Sequence, residues 1–225
     1  MSSQLGQDLM ILELLGGSQK GFFLDSGASD GVRCSNTLLL ESLGWAGICI
    51  EPNYSLFSKL VRNRTCACLN VCLFDREGAV DFLEADSSGG ILSEYHSAHL
   101  NNVRTWLPAF FDSNGKARTV KKMAVTIRSV LRQCAAPKVI DYWSLDTEGS
   151  ELAILKSFPF GEYSVRVLTV EHNRLPVRED IRTLLESRGF RRIREMGIDD
   201  CYSSFDSHTS LSWRSSAWTA PRNKL

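Results

Sequence analysis

One stretch constrains the fold of this 225-residue chain more than any other: residues 21–31, which read GFFLDSGASDG. A short apolar run ends in Asp25, and small residues with Gly27 and Gly31 then separate it from a helix-like segment at about residues 35–43. This order of strand, tight glycine turn and helix is typical of an open α/β sheet, in which ligands bind beyond the carboxyl ends of the strands. Glycine suits the turn because a side chain would hold the backbone away from the ligand. The stretch therefore predicts a pocket for a nucleotide-like cofactor.

The spacing of the two glycines bears on which nucleotide binds. A dinucleotide fingerprint has three glycines in the pattern G-x-G-x-x-G, whereas this turn has one G-x-x-x-G flanked by Asp25 and Asp30. Carboxylates repel a pyrophosphate but suit the positively charged S-adenosylmethionine. A second apolar strand at residues 46–50 ends in Glu51, which is placed to accept both ribose hydroxyls in either cofactor class. The sequence favours S-adenosylmethionine, and NAD remains an alternative because Glu51 alone would serve it.

Several motifs follow one another along the chain. They are DSGASDG at 25–31, SNT at 35–37, GWAGICIEP at 44–52, IDYWSLDTEGSELAIL at 140–155 and VLTVEHN at 167–173. Together they resemble the FkbM-type methyltransferase family, over roughly residues 7–201. The resemblance implies a Rossmann-like class I methyltransferase fold, an α/β domain with a doubly wound, mostly parallel seven-stranded sheet and helices on both faces. It also implies a single methyltransferase domain over residues 1–225 and S-adenosylmethionine as its cofactor.

The turn and the resemblance together give the candidate cofactor-binding residues. Ser35 has the side chain of an N-cap, and the amides of the helix behind it would face the cofactor's carboxylate. Asp75 follows the third predicted strand, where adenosylmethionine folds place a hydrogen bond to the adenine amino group, although a solvated loop Asp is equally ordinary. The full set is Asp25, Ser26, Gly27, Ala28, Asp30, Ser35, Asn36, Glu51, Pro52 and Asp75.

Composition narrows the class of protein. The chain has 26 basic and 26 acidic residues, so charge does not favour a polyanionic partner. Among the seven cysteines, Cys66, Cys68 and Cys72 have the spacing of one strand face, and reduced core thiols are favoured over a metal or redox site. Residues 1–17 carry acids and lack a basic start, which predicts neither a signal peptide nor a membrane span. We expect a cytoplasmic protein with no membrane partner.

The rest of the chain alternates strands and helices, as a doubly wound sheet should. A last antiparallel strand is predicted from residue 203 onward, and residues 215–225 are predicted to form a loose tail. Helices are predicted at 7–15, 54–63, 126–133, about 150–156 and 178–188, and strands at 65–74, 78–84, 119–125, 138–145, 165–170 and 191–194.

Residues 85–118 interrupt this alternation with a weak pattern. A loop of this length in a compact domain is usually functional or disordered. Because the segment contains Trp106 and other aromatic residues, we predict a substrate lid whose rings supply pocket walls. Its His96-x-x-His99 pair would share a helix face, but no third ligand lies nearby in the sequence, so lid or surface histidines are favoured over a metal site.

Acidic residues follow the two later central strands. Asp146 and Glu171 fall at the carboxyl ends of adjacent predicted strands, at the sheet edge that holds the cofactor turn. Methyl transfer to a hydroxyl requires removal of its proton, and either Glu171 or His172 could act as the general base. Asp146, Glu171, His172 and Glu148 are therefore the candidate catalytic residues.

A bound metal is the second interpretation of the same acids. Asp146, Glu171 and either His172 or Asn173 would make an oxygen and imidazole site for Mg²⁺ or Mn²⁺, which lowers the pKa of a hydroxyl. The site would be similar in position to that of catechol-type O-methyltransferases.

Structural roles for these acids are the alternative. Glu148 and Glu151 lie at a predicted helix start, where the dipole stabilises carboxylates without any catalytic purpose. Glu171 could instead pair with Arg174 or Arg178.

The sequence thus predicts a methyltransferase that uses S-adenosylmethionine, and the resemblance implies a hydroxyl of a small molecule or sugar as the acceptor. Methylation of an RNA ribose 2'-hydroxyl is an alternative, which the neutral charge does not favour. A non-catalytic module that binds adenosylmethionine or a partner protein is another, against which the intact acids argue.

Overall fold

The computed structural model describes residues 3–17 and 20–204. Its strands are β1 (Phe22–Ser26), β2 (Ala46–Ile50), β3 (Ala67–Leu69), β4 (Cys72–Phe74), β5 (Gly78–Leu83), β6 (Gly90–Ile91), β7 (Thr119–Thr126), β8 (Val139–Leu145), β9 (Ser164–Glu171), β10 (Arg191–Met196) and β11 (Asp199–Ser203). Its α-helices are α1 (Gln7–Leu14), α2 (Leu38–Ser42), α3 (Tyr54–Asn63), α4 (Ser97–Trp106), α5 (Ile127–Gln133), α6 (Glu151–Ser157) and α7 (Val177–Ser187).

Seven of the strands form the central sheet, in the order β10-β11-β9-β8-β1-β2-β3. Neighbours from β3 to β9 run parallel, and β11 is antiparallel to both of its partners. Leu24 in β1 is in register with Ile48 in β2, and Trp143 in β8 with both Leu24 and Leu168 in β9. The prediction of a mostly parallel, seven-stranded sheet is confirmed.

Helices cover both faces of this sheet, because its central strands carry apolar side chains on both faces. All five residues of β1 are buried, because a parallel strand with apolar side chains on both sides must be covered on both sides. Leu24 packs in one cluster with α5, α6 and α7, while Phe23 packs in the other with α1, α2 and α3. The two-sided arrangement of helices is therefore also as predicted.

The segment predicted as one strand at 65–74 is two short strands in different sheets. β3 joins the central sheet, whereas β4 belongs to a second sheet of order β4-β7-β5-β6. Between them the Asn70 side chain donates to the carbonyls of Glu51 and Pro52, at 2.8 and 3.0 Å, which redirects the chain. Cys72 accordingly packs in a separate cluster from Cys66 and Cys68, so the predicted common face was wrong.

The other helices and strands lie closer to their predicted positions. The helix predicted at 35–43 is the shorter α2, and the antiparallel strand β11 ends at residue 203. The strand predicted from residue 203 onward lies almost entirely outside the described residues, and the predicted tail at 215–225 lies wholly outside them. No helix among residues 3–17 and 20–204 is both long and apolar enough to cross a membrane.

Residues 85–118 are an ordered layer rather than an irregular loop. They contain β6, α4 and three short 3₁₀ turns. Tyr95, Val103 and Phe111 form a small apolar cluster with Leu83 of β5, which anchors the segment to the second sheet. We call residues 85–118 the insertion.

Candidate active site

A cavity of about 460 Å³ opens at the carboxyl ends of β1, β2, β8 and β9. The loops after these strands form its floor, and the insertion forms one wall. Lining residues from the strand ends include Asp25, Gly27, Ala28, Glu51, Pro52, Asp146, Glu148 and Glu171, and those from the insertion include Asp86, Ser87, Ser88, Ile91, His99 and Trp106. The cavity therefore combines most of the predicted cofactor residues with the predicted catalytic acids.

The glycine turn and the end of β8 are in direct contact. Gly27 has a φ of +88°, and its amide donates to the Ile50 carbonyl at 2.9 Å. A Cβ on Gly27 would lie 1.7 Å from the backbone oxygen of Asp146. Glycine is thus needed first for this backbone contact, a reason that the sequence did not reveal.

Asp25 lies buried beneath the turn and has one strong hydrogen-bond donor. Thr37 Oγ1 donates to its carboxylate at 2.5 Å, and Arg64 in turn donates to Thr37 Oγ1 at 3.0 Å and to Ser35 Oγ at 3.2 Å. Burial raises the pKa of Asp25, while the Arg64 guanidinium acts in the opposite direction. Arg64 is a supporting residue that the predicted cofactor-binding set does not include.

The neighbouring polar residues have local tasks. Asp30 accepts from the amides of Val32 and Arg33, so its carboxylate shapes the turn. Ser35 Oγ accepts from the amide of Leu38 at 3.2 Å, and Ser26 Oγ accepts from the Trp143 indole at 3.0 Å.

Asn36 has a free acceptor in the cavity wall. Its amide nitrogen donates to Ser144 Oγ at 3.0 Å, while its Oδ1 is buried and has no hydrogen-bond partner among the described residues.

Glu51 is held rigidly at the end of β2. Its two carboxylate oxygens accept from the amides of Ser29 at 2.8 Å and Asn53 at 2.7 Å. Burial raises the pKa of this carboxyl to about 7, although the hydrogen bonds from the two backbone amides act against that rise. Each oxygen keeps a further lone pair for a ligand hydroxyl.

Asp75 is not brought to the cavity. Its side chain is 41% exposed and pairs with Arg76 at 2.9 Å on the surface. The predicted contact with adenine is therefore not present in this arrangement, because residues 72–74 have left the central sheet.

Three acids meet at the opposite end of the cavity. Asp146, Glu148 and Glu171 each present a carboxylate oxygen, and these oxygens all lie within 4.8 Å of one another; we call them the carboxylate cluster. Burial, followed by repulsion from the other acids, raises the pKa of Asp146 and of Glu171. Glu171 Oε2 is buried without a hydrogen-bond partner in the described part of the chain. The cluster can hold a proton or a cation.

Glu148 joins the cluster through an unusual backbone conformation. Its φ is +61°, and its Oε2 lies 2.6 Å from His99 Nε2 of the insertion. Glu151, by contrast, accepts from Thr147 and Gly149 and closes the loop before α6. Of the two acids, the structural interpretation fits Glu151 and not Glu148.

His172 points away from the cluster. Its Nδ1 accepts from the Arg174 amide at 3.0 Å, and its Nε2 lies 3.8 Å from Asp200 Oδ1. Burial lowers the pKa of this imidazole. The predicted metal set of Asp146, Glu171 and His172 is therefore not brought together, because adjacent residues of an extended segment point to opposite sides, and Glu148 occupies the third place.

The predicted pairing of Glu171 with arginine is not present either. Arg178 binds both oxygens of Asp200 at 2.8 Å and also reaches Glu195. Arg174 donates weakly to the Gly197 carbonyl at 3.5 Å. Within residues 3–17 and 20–204, the carboxylate of Glu171 therefore faces other acids and not a cation.

Comparison with known proteins identifies the family. The methyltransferase FkbM domain matches residues 25–192. The chain belongs to the FkbM methyltransferase family. The central sheet of this FkbM protein, with its antiparallel β11, accordingly has the class I α/β methyltransferase fold.

The solved structures that resemble this FkbM protein share little sequence with it. The methyltransferase domain of METTL16 is 12% identical with a TM-score of 0.46, and the match covers 88% of this chain and 66% of that domain, slightly less than two thirds. A human methyltransferase 10 domain containing protein is 12% identical, with a TM-score of 0.45 and coverage of 90% and 82%. Magnesium protoporphyrin IX methyltransferase from Synechocystis PCC 6803 is 12% identical, with a TM-score of 0.42 and coverage of 87% and 79%. No curated protein gave a significant match. Similarity at this level does not indicate an acceptor.

Proposed function

We propose that the protein transfers the methyl group of S-adenosylmethionine to a hydroxyl oxygen of a small molecule or sugar in the cytoplasm. One observation carries the proposal: the glycine turn of the cofactor side contacts the backbone of Asp146 in the carboxylate cluster, so cofactor and proton acceptor share one cavity. The seven cysteines are free thiols, in keeping with a reducing compartment.

The cofactor occupies the β1 and β2 side in this proposal. Glu51 accepts the ribose hydroxyls, while Asp25 and the free Oδ1 of Asn36 face the charged methionine end. Gly27, Ala28, Ser35 and Pro52 line the same side of the cavity. Ser26 and Asp30 would support the cofactor indirectly, because their side chains hold Trp143 and the turn.

Proton removal is the task of the cluster. The acceptor oxygen attacks the methyl carbon, the carbon–sulfur bond breaks to release S-adenosylhomocysteine, and the hydroxyl proton passes to the carboxylate of Glu171 or Asp146. The pKa of each of these two carboxyls is raised and therefore lies nearer to neutral pH than that of an ordinary carboxyl. A pKa near the operating pH suits a general base.

A divalent cation is the second way for the cluster to work. Three carboxylates within 4.8 Å and an unpartnered Glu171 oxygen fit Mg²⁺ or Mn²⁺, which prefer oxygen ligands. Such an ion would supply a lower hydroxyl pKa. Asp146, Glu148 and Glu171 would hold it.

Methylation of an RNA ribose is the less favoured acceptor. The chain has no net charge, while RNA binding relies on phosphate contacts from basic residues.

Calorimetry tests the cofactor assignment. We expect S-adenosylmethionine to bind and NAD not to bind, and Glu51→Gln to weaken S-adenosylmethionine by about tenfold or more, since it removes charged hydrogen bonds to the ribose. Glu179→Gln, the same change at an exposed site in α7, serves as the control. If S-adenosylmethionine does not bind the wild-type protein, the proposed function is wrong.

The same binding should depend on pH. Glu51 has a pKa of about 7 in the free protein, so it is largely protonated at pH 6 and ionised at pH 8. Because the ionised form accepts the ribose hydroxyls better, we expect affinity to rise by up to about tenfold from pH 6 to pH 8. Glu51→Gln should flatten this rise, and a slope that persists in Glu51→Gln would assign it to another group.

Titration with Mn²⁺ tests the cation. We expect binding that Asp146→Asn and Glu148→Gln each weaken by about tenfold or more and that strengthens with pH, since the ion must displace protons from carboxyls whose pKa is raised. Asp86→Asn changes the same charge in the same cavity outside the cluster and should leave Mn²⁺ affinity unchanged. If Asp86→Asn weakens Mn²⁺ binding as much as the cluster variants do, the loss comes from the general negative charge of the cavity and not from direct ligands.

A further inference from the structure

A histidine of the insertion reaches the carboxylate cluster. His99 lies in α4, and its Nε2 is 2.6 Å from Glu148 Oε2. The two side chains are only 10% and 12% exposed, so little water competes for this bond. It connects the wall of the cavity to its reacting end.

The His99 ring is fixed from its other side. Tyr95 stacks on it, with ring centroids 5.6 Å apart and an interplanar angle of 11°. The Tyr95 hydroxyl donates to the Ser88 carbonyl, and Ser88 lines the cavity. The ring therefore has little freedom to turn away from Glu148.

Glu148 is equally restricted. Its backbone is left-handed, and a Cβ on the following Gly149 would lie 2.6 Å from the Glu94 carbonyl of the insertion. A Cβ on Gly90 would lie 3.1 Å from the Cβ of Glu148. The loop after β8 is thus packed directly against the insertion, and the His99 side chain adds a hydrogen bond to that packing.

The bond to His99 has a consequence for the cluster. Without a donor, Glu148 would face Asp146 and Glu171 with no compensating partner on its own carboxylate, and like charges at this distance repel. A hydrogen bond from His99 offsets that repulsion and fixes the side chain in one direction.

We propose that His99 is a positioning residue: it holds Glu148 in the carboxylate cluster and, by the same bond, docks α4 over the reacting end of the cavity. The role of the cluster itself rests on the proposed function. The docking does not, and it can be measured separately.

Hydrogen exchange of the α4 amides tests the docking. We expect His99→Leu to speed exchange over residues 97–106 by about tenfold or more, whereas His99→Gln, which can still donate to Glu148, should stay near the wild type. Glu148→Ala should match His99→Leu, and the double variant should exchange no faster than either single one, because both remove the same bond.

Mn²⁺ affinity tests the positioning. His99→Leu should weaken Mn²⁺ by several fold and have no further effect in the Glu148→Ala background, while His99→Gln retains affinity. His96→Leu is the matched control, since His96 caps the same helix by accepting from the Ala98 amide and should affect only the first turn of α4.

The outcomes separate clearly. Additive exchange effects of His99→Leu and Glu148→Ala, or loss of protection in His99→Gln, would overturn the proposal in favour of a purely packing role. Should His99→Leu not fold, Glu148→Ala alone must release α4, and unchanged protection there would also overturn it. Failure of the wild type to bind S-adenosylmethionine would refute the proposed function and leave the exchange result standing.

Discussion

Replacing Asp146 by Asn or Glu171 by Gln is expected to reduce methyl transfer by about 100-fold or more, the usual contribution of a positioned general base. Both changes keep the side-chain size and remove a carboxylate from the cluster, in which the oxygens lie within 4.8 Å of one another. The measurement follows labelled methyl groups from S-adenosylmethionine into a panel of sugars, catechols and small alcohols.

Cofactor affinity is the control for these variants. Calorimetry should give S-adenosylmethionine affinities within a few fold of the wild type, because the ribose partner Glu51 is untouched. His172→Asn adds a second comparison: its ring faces Asp200, so we expect a smaller loss than in Glu171→Gln. Wild-type turnover in either carboxylate variant would contradict the catalytic assignment.

The central sheet could be predicted because its signal is local. β1, β2, β8 and β9 are short apolar runs with an acidic or polar residue at or just beyond the carboxyl end, and parallel strands bring those ends to one edge. The meeting of Glu51 with the glycine turn, through the Ser29 amide, follows from that topology.

Other features depend on contacts that are distant in sequence. The split at residues 65–74 requires Asn70 to reach the carbonyls of Glu51 and Pro52, which no local pattern encodes. Glu148 enters the cluster because its backbone is left-handed and His99 lies 49 residues earlier. The H-x-x-H spacing indicated that His99 belongs to the predicted lid. It did not indicate that Glu148 is the hydrogen-bond partner of His99.

The direction of His172 was accessible in principle. Glu171 ends β9, and alternation along an extended chain sends the next side chain to the opposite side. Choosing Glu171 for the cluster therefore disfavours His172 as a second ligand. In the structure a residue from the loop after β8, Glu148, takes that place.

The glycine turn gives the sharpest prediction on stability. Gly27→Ala should lower the free energy of unfolding by about 4 kcal/mol or more and the melting temperature by about 10 °C or more, since its Cβ would lie 1.7 Å from the Asp146 carbonyl. Thermal unfolding followed by circular dichroism measures the change.

Gly189→Ala is the matched control for this substitution. Gly189 has a φ of +86°, close to the +88° of Gly27, but a Cβ there would meet nothing within 4 Å. It should therefore lose only the conformational contribution of about 1 kcal/mol. Equal losses in the two variants would mean that backbone conformation alone requires glycine at position 27. A much larger loss in Gly27→Ala would show instead that glycine is required there by the close backbone contact with Asp146, which joins the turn after β1 to the end of β8.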